Sequence, residues 1–508
     1  MKKTFFKSLM IAALIVPTFT ACELDQYPTT SIPGEKSWEK PSDATNFHKG
    51  LYSTLRSLSG TGYLWGDIMM DYFQPTISYG NRGGLLYTWT YSANDVGGPW
   101  SSGYSAISDC NYYLTNVDKI DYSKSTDRAT DSILVRQYKG EAYFIRALAY
   151  SNIVSYYCRA YDAGTAATTR GLPLLTKVDV SAKPRSANLK ATYEFILNDL
   201  KMADDLLQAD GPDEDAAVGV LINKTMTKAL RARVLLNMGD YTNALAEAEA
   251  LINSGHFALA NSANALKDMW TNDQGSEFIY VPAGTPDERY EYVTNVNSNN
   301  FHAYSTAAGA FSPDWIPSKA TVEMYSTNDW RTKIYLDPKD VKCQDQKASH
   351  VALFNKFLNN PNLAKKGDSK YAQYTLPKLF RIAETYLIAA EAAYRLNNVA
   401  KAQQYLNALR TKRGLLATSE TGESLAKEIR MEWKREFMGE GMYFHVLKRW
   451  GLGFTRDAAT QTGAANVVYG GEAAANIGLT VDPTFHNNWT FEIPTQEKTM
   501  NPNVELFD

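Results

Sequence analysis

Apolar residues recur at spacings of three and four along several parts of this chain, which is the pattern of amphipathic helices. One such part is residues 134–158, and another runs from about Ala191 to Gln208 and ends at the turn sequence 210–212. In the first helix the repeating positions are Leu134, Tyr138, Ala142, Ile145, Ala149 and Ile153. The pattern predicts a mainly α-helical protein.

Two stretches predict helical hairpins of the same design. Residues 225–254 place apolar and small residues on both sides of Gly239-Asp240, and residues 383–409 do so around Asn397-Asn398. Gly or Asn at such a turn supplies the left-handed conformation that ends a helix. Hairpins of this kind are tetratricopeptide-like, because each one buries a face against its neighbour. A further helix is predicted over about 424–448, where Glu alternates with Lys and Arg.

Long stretches without helical periodicity separate the helical blocks, at about 59–99, 259–375 and 451–490. Loops of this length inside an ordered protein are usually functional. We therefore predict one domain over 22–508. Its helical scaffold (about 35–58, 100–258 and 376–450) carries irregular loops and a few short strands, and the loops form the ligand-binding surface.

The N-terminus has the pattern of a lipoprotein signal peptide over residues 1–21. Lysines precede an apolar run from Leu9 to Thr20, which is shorter than the ~20 residues of a membrane span. A large apolar residue, Phe19, stands three positions before Cys22. This pattern predicts lipidation of Cys22, and at least two acyl chains would anchor the protein stably. The alternative is a secreted protein in which Cys22 is incidental.

Charge and cysteine content narrow the function further. The net charge is −3 with no basic run, which argues against a nucleic-acid partner and against a polybasic membrane-binding surface. Membrane contact is therefore expected through the lipid alone. Apart from Cys22, the cysteines are Cys110, Cys158 and Cys343, and their spacing fits neither a disulfide framework nor a metal cluster. One pair and three buried thiols both remain open.

Enzyme and metal signatures are missing from the sequence, so we expect no catalytic residues and no cofactor. GxSxG, HExxH, P-loop and GxGxxG motifs do not occur, and the six histidines are scattered. Glu432, Glu436 and Glu440 lie one turn apart and are interpreted as surface ion-pair partners of Arg430, Lys434, Arg435 and Lys448. Catalytic carboxylates or Ca²⁺ ligands are the less favoured alternative for these three residues. A structural Ca²⁺ at the acidic loop 210–215 is the alternative to a solvated turn there.

Two loop stretches combine aromatic rings with hydrogen-bonding side chains, the two features that sugar binding needs. These stretches are residues 63–95 and 287–315. The candidate ligand-binding residues are Trp65, Asp67, Asp71, Tyr79, Arg82, Trp89, Tyr91, Asn94, Tyr290, Tyr292 and Trp315. We expect at least one of Trp65, Trp89 and Trp315 to lie in the site, and we assign Trp100, Trp433 and Trp450 to the core.

Several blocks of the chain, in order, resemble the SusD/RagB family of nutrient-binding lipoproteins. They include GEAYFIRALAY at 140–150, RIAETYLIAAEA at 381–392, REF at 435–437, KRW at 448–450 and NPN at 501–503. The chain departs from the family pattern at Met442 and at His445-Val446.

The resemblance implies an outer-membrane, lipid-anchored protein that faces the cell exterior. Such proteins cap a TonB-dependent, SusC-like transporter barrel as a hinged lid, bind an oligosaccharide and pass it inward. The alternatives are a binder of peptides or another non-sugar nutrient on the same scaffold, and, less favoured, a glycoside hydrolase with two facing carboxylates. The sequence does not identify the sugar.

Overall fold

The computed structural model describes residues 37–60, 64–208, 221–287, 301–357, 360–368, 374–470 and 479–507. Its α-helices are α1 (Pro41–Gly60), α2 (Trp65–Met69), α3 (Gly84–Thr88), α4 (Gly98–Asn116), α5 (Arg128–Tyr157), α6 (Leu189–Leu206), α7 (Lys224–Met238), α8 (Tyr241–Asn253), α9 (Ala263–Thr271), α10 (Lys319–Glu323), α11 (Ile382–Arg395), α12 (Val399–Thr411), α13 (Gly422–Glu436), α14 (Met442–Trp450) and α15 (Thr495–Met500). The prediction of a mainly α-helical fold with few strands is confirmed.

The strands are short, apart from one long hairpin. They are β1 (Phe73–Pro75), β2 (Phe278–Tyr280), β3 (Tyr304–Ser305), β4 (Ala310–Phe311), β5 (Trp315–Pro317), β6 (Leu336–Cys343), β7 (Gln346–Phe354), β8 (Phe380–Arg381), β9 (Phe454–Thr455) and β10 (Thr480–Val481). The hairpin β6–β7 belongs to a four-stranded sheet of order β3-β4-β6-β7, and β1 pairs with β5 in a separate sheet.

Both predicted helical hairpins are present. Gly239 between α7 and α8 has φ 73°, and Asn397 between α11 and α12 has φ 59°, so each turn uses the left-handed conformation. Asp240 and Asn398 then cap the second helix of each pair by accepting a backbone N–H three residues on. Because α8 packs against α11, the two hairpins are neighbours in space although 128 residues, 254–381, separate these helices in the chain.

Helix α5 lies at the centre of the N-terminal helices and packs against α1, α4 and α6. It begins six residues before the predicted start, and Leu134 is exposed while Ala142, Ile145, Ala149 and Ile153 are buried. Among its buried side chains, Arg146 donates to both Asp199 oxygens on α6, at 2.7 Å each, and to Asn111 on α4 at 2.7 Å. This buried fork joins three helices through one side chain.

The prediction of one continuous helix over 424–448 is wrong. Helix α13 ends at Glu436 and α14 begins at Met442. The break contains Gly439 at φ 79° and Gly441 at φ 72°, a backbone conformation that a helix interior does not accommodate. The alternation of Glu with Lys and Arg resembled one long exposed helix because the charges continue across the break.

The three glutamates of this region make buried ion pairs instead of the predicted surface pairs. Glu436 lies within 3.0 Å of guanidinium nitrogens of Arg331, Arg381 and Arg413, and all four side chains are fully buried. Glu432 also contacts Arg331, and Glu440 contacts Arg381 and Lys356. Of the predicted partners, only Arg435 approaches one of these carboxylates, at 3.4 Å from Glu432. Arg430 pairs with Glu423, and Lys434 pairs with Asp71. Lys448 donates to backbone carbonyls.

These groups form what we call the buried ion network: Glu277, Asp329, Glu432, Glu436 and Glu440 with Arg331, Lys356, Arg381 and Arg413. Arg331 and Lys356 come from the long stretch between α10 and β8, whereas the glutamates at 432–440 belong to the scaffold. The network therefore fastens the irregular region of the chain to the helices.

The structure answers one question that the sequence left open, whether two of the cysteines form a pair. Cys110, Cys158 and Cys343 are all free and buried. Burial raises the pKa of the Cys158 thiol to about 11. These residues are therefore protonated thiols of the interior. In the part of the chain that the structure describes, no helix combines the length and the apolar character needed to cross a membrane.

Candidate functional site

The two loop stretches that the sequence singled out meet in space. Strand β1 pairs antiparallel with β5, with Pro75 opposite Trp315 and Phe73 opposite Pro317. Beyond the strands the contact continues, because the Thr76 hydroxyl donates to the Pro313 carbonyl at 2.6 Å and the Ser312 hydroxyl lies 3.3 Å from that of Ser78. Residues 76–82 and 311–314 therefore form one surface.

Arg82 and Asp314 hold this surface together from opposite stretches. Arg82 Nε donates to Asp314 Oδ2 at 2.7 Å, and Nη2 donates both to Asp314 Oδ1 and to the Ser78 carbonyl at 3.0 Å. The Arg82 side chain is 38% exposed, whereas that of Asp314 is 3% exposed. The hydrogen bonds that Arg82 donates to Asp314 raise the pKa of Arg82 above its ordinary value. The guanidinium thus reaches solvent while its counter-ion lies beneath it.

Asn81 and Tyr79 complete the turn beside Arg82. Asn81 is exposed and adopts the left-handed conformation at φ 58°, which Asn tolerates better than most residues. The Tyr79 hydroxyl donates to Asn81 Oδ1 at 3.2 Å, and the Tyr79 ring packs edge-on against Trp315 at 5.7 Å. The turn therefore presents amide and guanidinium groups above a layer of packed rings.

Two further segments complete the surface. Both lie in predicted ligand-binding loops (259–375 and 451–490), but the sequence named no candidate residue in either segment. The Ile77 N–H donates to the Val467 carbonyl and the Tyr469 N–H to the Pro75 carbonyl, each at 2.9 Å, so residues 464–469 run alongside β1. This places the half-buried Tyr469 ring 5.0 Å from Tyr79. From the tip of the β6–β7 hairpin, Gln344 Nε2 donates to the Ile77 carbonyl at 2.6 Å. We call residues 76–82, 311–314, 344 and 464–469 the 76–82 surface.

The signal for these segments was weak. Tyr469 belongs to the predicted loop 451–490, but nothing in its local pattern indicates a partner almost 400 residues earlier. Gln344 is a single polar residue at a hairpin tip. Only the long-range pairing of the strands brings both residues beside Tyr79.

Two of the three predicted tryptophans, Trp89 and Trp315, are buried. Trp315 is 0% exposed and Trp89 is 1% exposed, so neither ring offers a face to a ligand in this structure. Trp89 is surrounded by the rings of Tyr91, Phe444, Phe454, Phe485, His486 and Trp489 and donates from Nε1 to the Met69 carbonyl at 2.9 Å. Each of these large rings gains more from burial in an aromatic cluster than from exposure. That at least one of Trp65, Trp89 and Trp315 lies in the site stays a prediction.

Trp65 and Tyr91 belong to the same aromatic region. Trp65 is half-buried and its ring lies 6.3 Å from that of Phe491, and Tyr91 is 8% exposed and stacks on His486 at 5.0 Å. Trp65 is thus the one of the three candidate tryptophans that keeps part of its ring accessible. Trp100 and Trp433 are buried, as predicted for the core, and Trp450 is half-buried against it.

The two candidate carboxylates hold scaffold segments together. Asp67 accepts hydrogen bonds from the N–H groups of Gly439 and Gly441, and burial raises its pKa to about 7. Asp71 pairs with Lys434 at 2.6 Å. Both residues therefore connect α2 and the residue stretch after it to the α13–α14 region, and neither is part of the 76–82 surface.

The remaining candidates are placed differently. Asn94 is exposed on a separate turn, residues 92–95. Cys22, Tyr290, Tyr292 and the acidic loop 210–215 lie outside the described residues. Within the described residues, no group of three or more His, Cys, Asp or Glu side chains is arranged to hold a metal ion.

A cavity of about 130 Å³ lies among the scaffold helices, and no candidate residue lines it. Its lining includes Arg233, Glu384, His445 and Arg449. The charged groups are already paired, since Arg233 binds Glu384 and Arg449 binds Glu391 through two hydrogen bonds each. Burial lowers the pKa of His445 to about 3, so this ring is neutral. We therefore regard the exposed 76–82 surface as the stronger ligand-site candidate.

Comparisons with known proteins agree with this architecture. The model of the SusD family matches residues 184–505, and a second family model, described as starch-binding associating with outer membrane, matches residues 63–236. A SusD-like protein of Formosa agariphila is 24% identical over 82% of this chain and 83% of its own length.

Solved structures show the same fold. A SusD superfamily protein from Bacteroides thetaiotaomicron has a TM-score of 0.73 at 23% identity, with 92% of this chain and 99% of that chain covered. A laminarin binding SusD-like protein has a TM-score of 0.68 at 20% identity, covering 91% and 98% of the two chains.

Proposed function

Since this chain belongs to the SusD family, we propose that it binds an oligosaccharide at the cell surface and that the ligand lies on the 76–82 surface. The observation that carries the proposal is the β1–β5 pairing, which unites two stretches rich in rings and hydrogen-bonding groups. The Tyr469 ring supplies a partly accessible apolar face, and Asn81, Arg82 and Gln344 supply polar groups around it. Sugar recognition needs both elements.

Related proteins support a carbohydrate over other nutrients. One family model describes starch binding, and a structural relative is described as laminarin binding. Both polymers are neutral glucans, and this chain shares the fold of the laminarin binder. A peptide ligand on the same scaffold is the alternative, and it is an outcome of the test below.

We expect alanine at Tyr469 to weaken retention of the cognate polysaccharide in an affinity gel about fivefold or more. Loss of one stacked ring removes roughly 1 kcal/mol of binding free energy. Adding Asn81→Ala should weaken retention further, because an exposed amide beside the ring is also lost. Tyr112→Ala is the matched control, since Tyr112 is 38% exposed but lies on scaffold helix α4.

Equal retention by the Tyr469 variant and the Tyr112 variant would place the site elsewhere. Calorimetry against a panel of glycans and peptides tests the ligand class independently of any substitution. Heat from peptides alone would overturn the carbohydrate proposal and favour the alternative.

We infer further that the protein is anchored by lipid at Cys22 on the exterior of the outer membrane. From there it would deliver its ligand, as a hinged lid, to a TonB-dependent SusC-like transporter. The family description of outer-membrane association supports this location. Cys22→Ser should move the protein from the membrane fraction to the soluble fraction while glycan retention stays the same. A variant that remains in the membrane fraction would contradict the anchor.

A further inference from the structure

The formal charges of the 76–82 surface cancel within a single pair. Across residues 76–82, 311–314, 344 and 464–469, all of which are described, Arg82 is the one basic residue and Asp314 the one acidic residue. These two side chains bind each other through two hydrogen bonds. The surface therefore offers a ligand polar groups but no net charge.

Asp314 cannot give up Arg82 without a large penalty. Its side chain is 3% exposed, and the Arg82 guanidinium covers it. Drawing the guanidinium away would break its two hydrogen bonds to a carboxylate that is shielded from water, which costs free energy. A ligand carboxylate that drew Arg82 away would have to overcome this cost, and it would also approach the negative charge of Asp314.

A hydroxyl group meets neither obstacle. Arg82 Nε and Nη2 are used by Asp314 and the Ser78 carbonyl, whereas Nη1 makes no hydrogen bond to any described residue. This nitrogen can donate to a neutral sugar oxygen while the ion pair stays intact. The guanidinium thus acts as a hydrogen-bond donor whose charge is compensated by Asp314.

Lysines of the β6–β7 hairpin do not alter this balance. Lys339 lies over the Phe311 ring at 5.7 Å, but it pairs with Asp337 at 2.9 Å, so this contact adds no net charge. On the β6–β7 hairpin, Lys342 lies opposite Lys347, and the next pair is Cys343 opposite Gln346. Successive side chains of a strand point to opposite faces. Cys343 approaches the Pro313 carbonyl at 3.9 Å, so its face is the one turned toward the 76–82 surface and the two lysines project from the other face.

We propose that the 76–82 surface selects uncharged oligosaccharides over uronate-containing ones, and that Asp314 sets this selectivity by neutralising Arg82. The proposal rests on the proposed function, and it assigns the ligand class by charge. Asp314 acts here as a positioning residue, since it works through the guanidinium.

Retention of neutral polymers (starch and laminarin) and of acidic ones (polygalacturonate and alginate) in affinity gels tests this directly. For the unaltered protein we expect retention by at least one neutral polymer and weaker retention by both uronate polymers. In Asp314→Asn the charge of Arg82 is uncompensated, so the ratio of uronate to neutral retention should rise at least tenfold. Asp345→Asn removes the same charge from the exposed hairpin tip and should leave the ratio unchanged.

The double variant Arg82→Gln/Asp314→Asn removes both charges and should return the ratio to its original value. Stronger retention of a uronate polymer than of any neutral one by the unaltered protein would overturn the proposed selectivity but leave the proposed function standing. Equal ratios in Asp314→Asn and Asp345→Asn would overturn the role of Asp314. If calorimetry also finds no glycan that binds, the proposed function fails and the inference falls with it.

Discussion

Glu436→Gln should lower the free energy of unfolding by about 3 kcal/mol or more, the largest loss we expect from a change that preserves side-chain shape. Glu436 faces Arg331, Arg381 and Arg413, and all four side chains are fully buried. Breaking a buried ion pair by neutralising one partner typically costs 3–5 kcal/mol. Here three guanidinium groups lose a shared carboxylate, although Glu277, Glu432 and Glu440 remain nearby.

Denaturant unfolding of the Cys22→Ser protein measures this loss, with Glu423→Gln as the matched control. Glu423 lies on the same helix and also pairs with an arginine, Arg430 at 2.6 Å, but its side chain is 77% exposed. Exposed pairs contribute at most about 1 kcal/mol. Equal losses in the two variants would mean that the buried ion network does not stabilise the fold.

The effect of Glu436→Gln on stability should also depend on pH. Burial alone would raise the pKa of Glu436, but Arg413, Arg381 and Arg331 together hold that pKa well below its usual value. The stabilisation is therefore complete above the pKa of an unfolded glutamate, about 4.3, and is lost as the pH falls toward the lower folded value. The stability difference between the unaltered protein and Glu436→Gln should thus shrink below about pH 4.

Gly439→Ala should be the next most damaging of these changes, at about 3 kcal/mol. Gly439 has φ 79°, where a residue with a side chain is strained by about 1–2 kcal/mol. A Cβ atom there would also lie 2.2 Å from Cζ of the buried Phe354 ring. Overpacking of this kind adds about 1–3 kcal/mol because the ring must move within a packed core.

Gly451→Ala separates the two contributions. Gly451 also has a positive φ, 63°, but a Cβ atom there would meet nothing within 4 Å. We expect it to cost about 1 kcal/mol, the backbone strain alone. If both variants unfold at the same denaturant concentration, the contact with Phe354 contributes nothing and the close approach has been overestimated.

The sequence predicted the helical hairpins well because their signals are local. Gly239 and Asn397 mark each turn, and the apolar residues on either side follow the helical period. The break at Gly439 and Gly441 was missed because charged residues continue through it at helical spacing. Their true partners, Arg331, Lys356, Arg381 and Arg413, are distant in the chain.

For the candidate site, the sequence indicated the right stretches but not which side chains reach solvent. Tyr and Trp serve equally well in a core and on a binding surface, so composition could not distinguish Trp315 from Tyr469. The meeting of Arg82 with Asp314 across 232 residues depends on strand pairing, which has no local signature in three-residue strands.

The buried ion network also limits how ligand specificity can be transferred between members of this family by exchanging loops. The segment between α10 and β8 supplies the cations Arg331 and Lys356. Asp329, one counter-charge of Arg331, moves with this segment, whereas Glu432, Glu436 and Glu440 stay on the scaffold. A chimaera that exchanges this segment must therefore import cations at the equivalent places, whatever sugar its loops recognise. Donor sequences can be screened for those two charges before any gene is built.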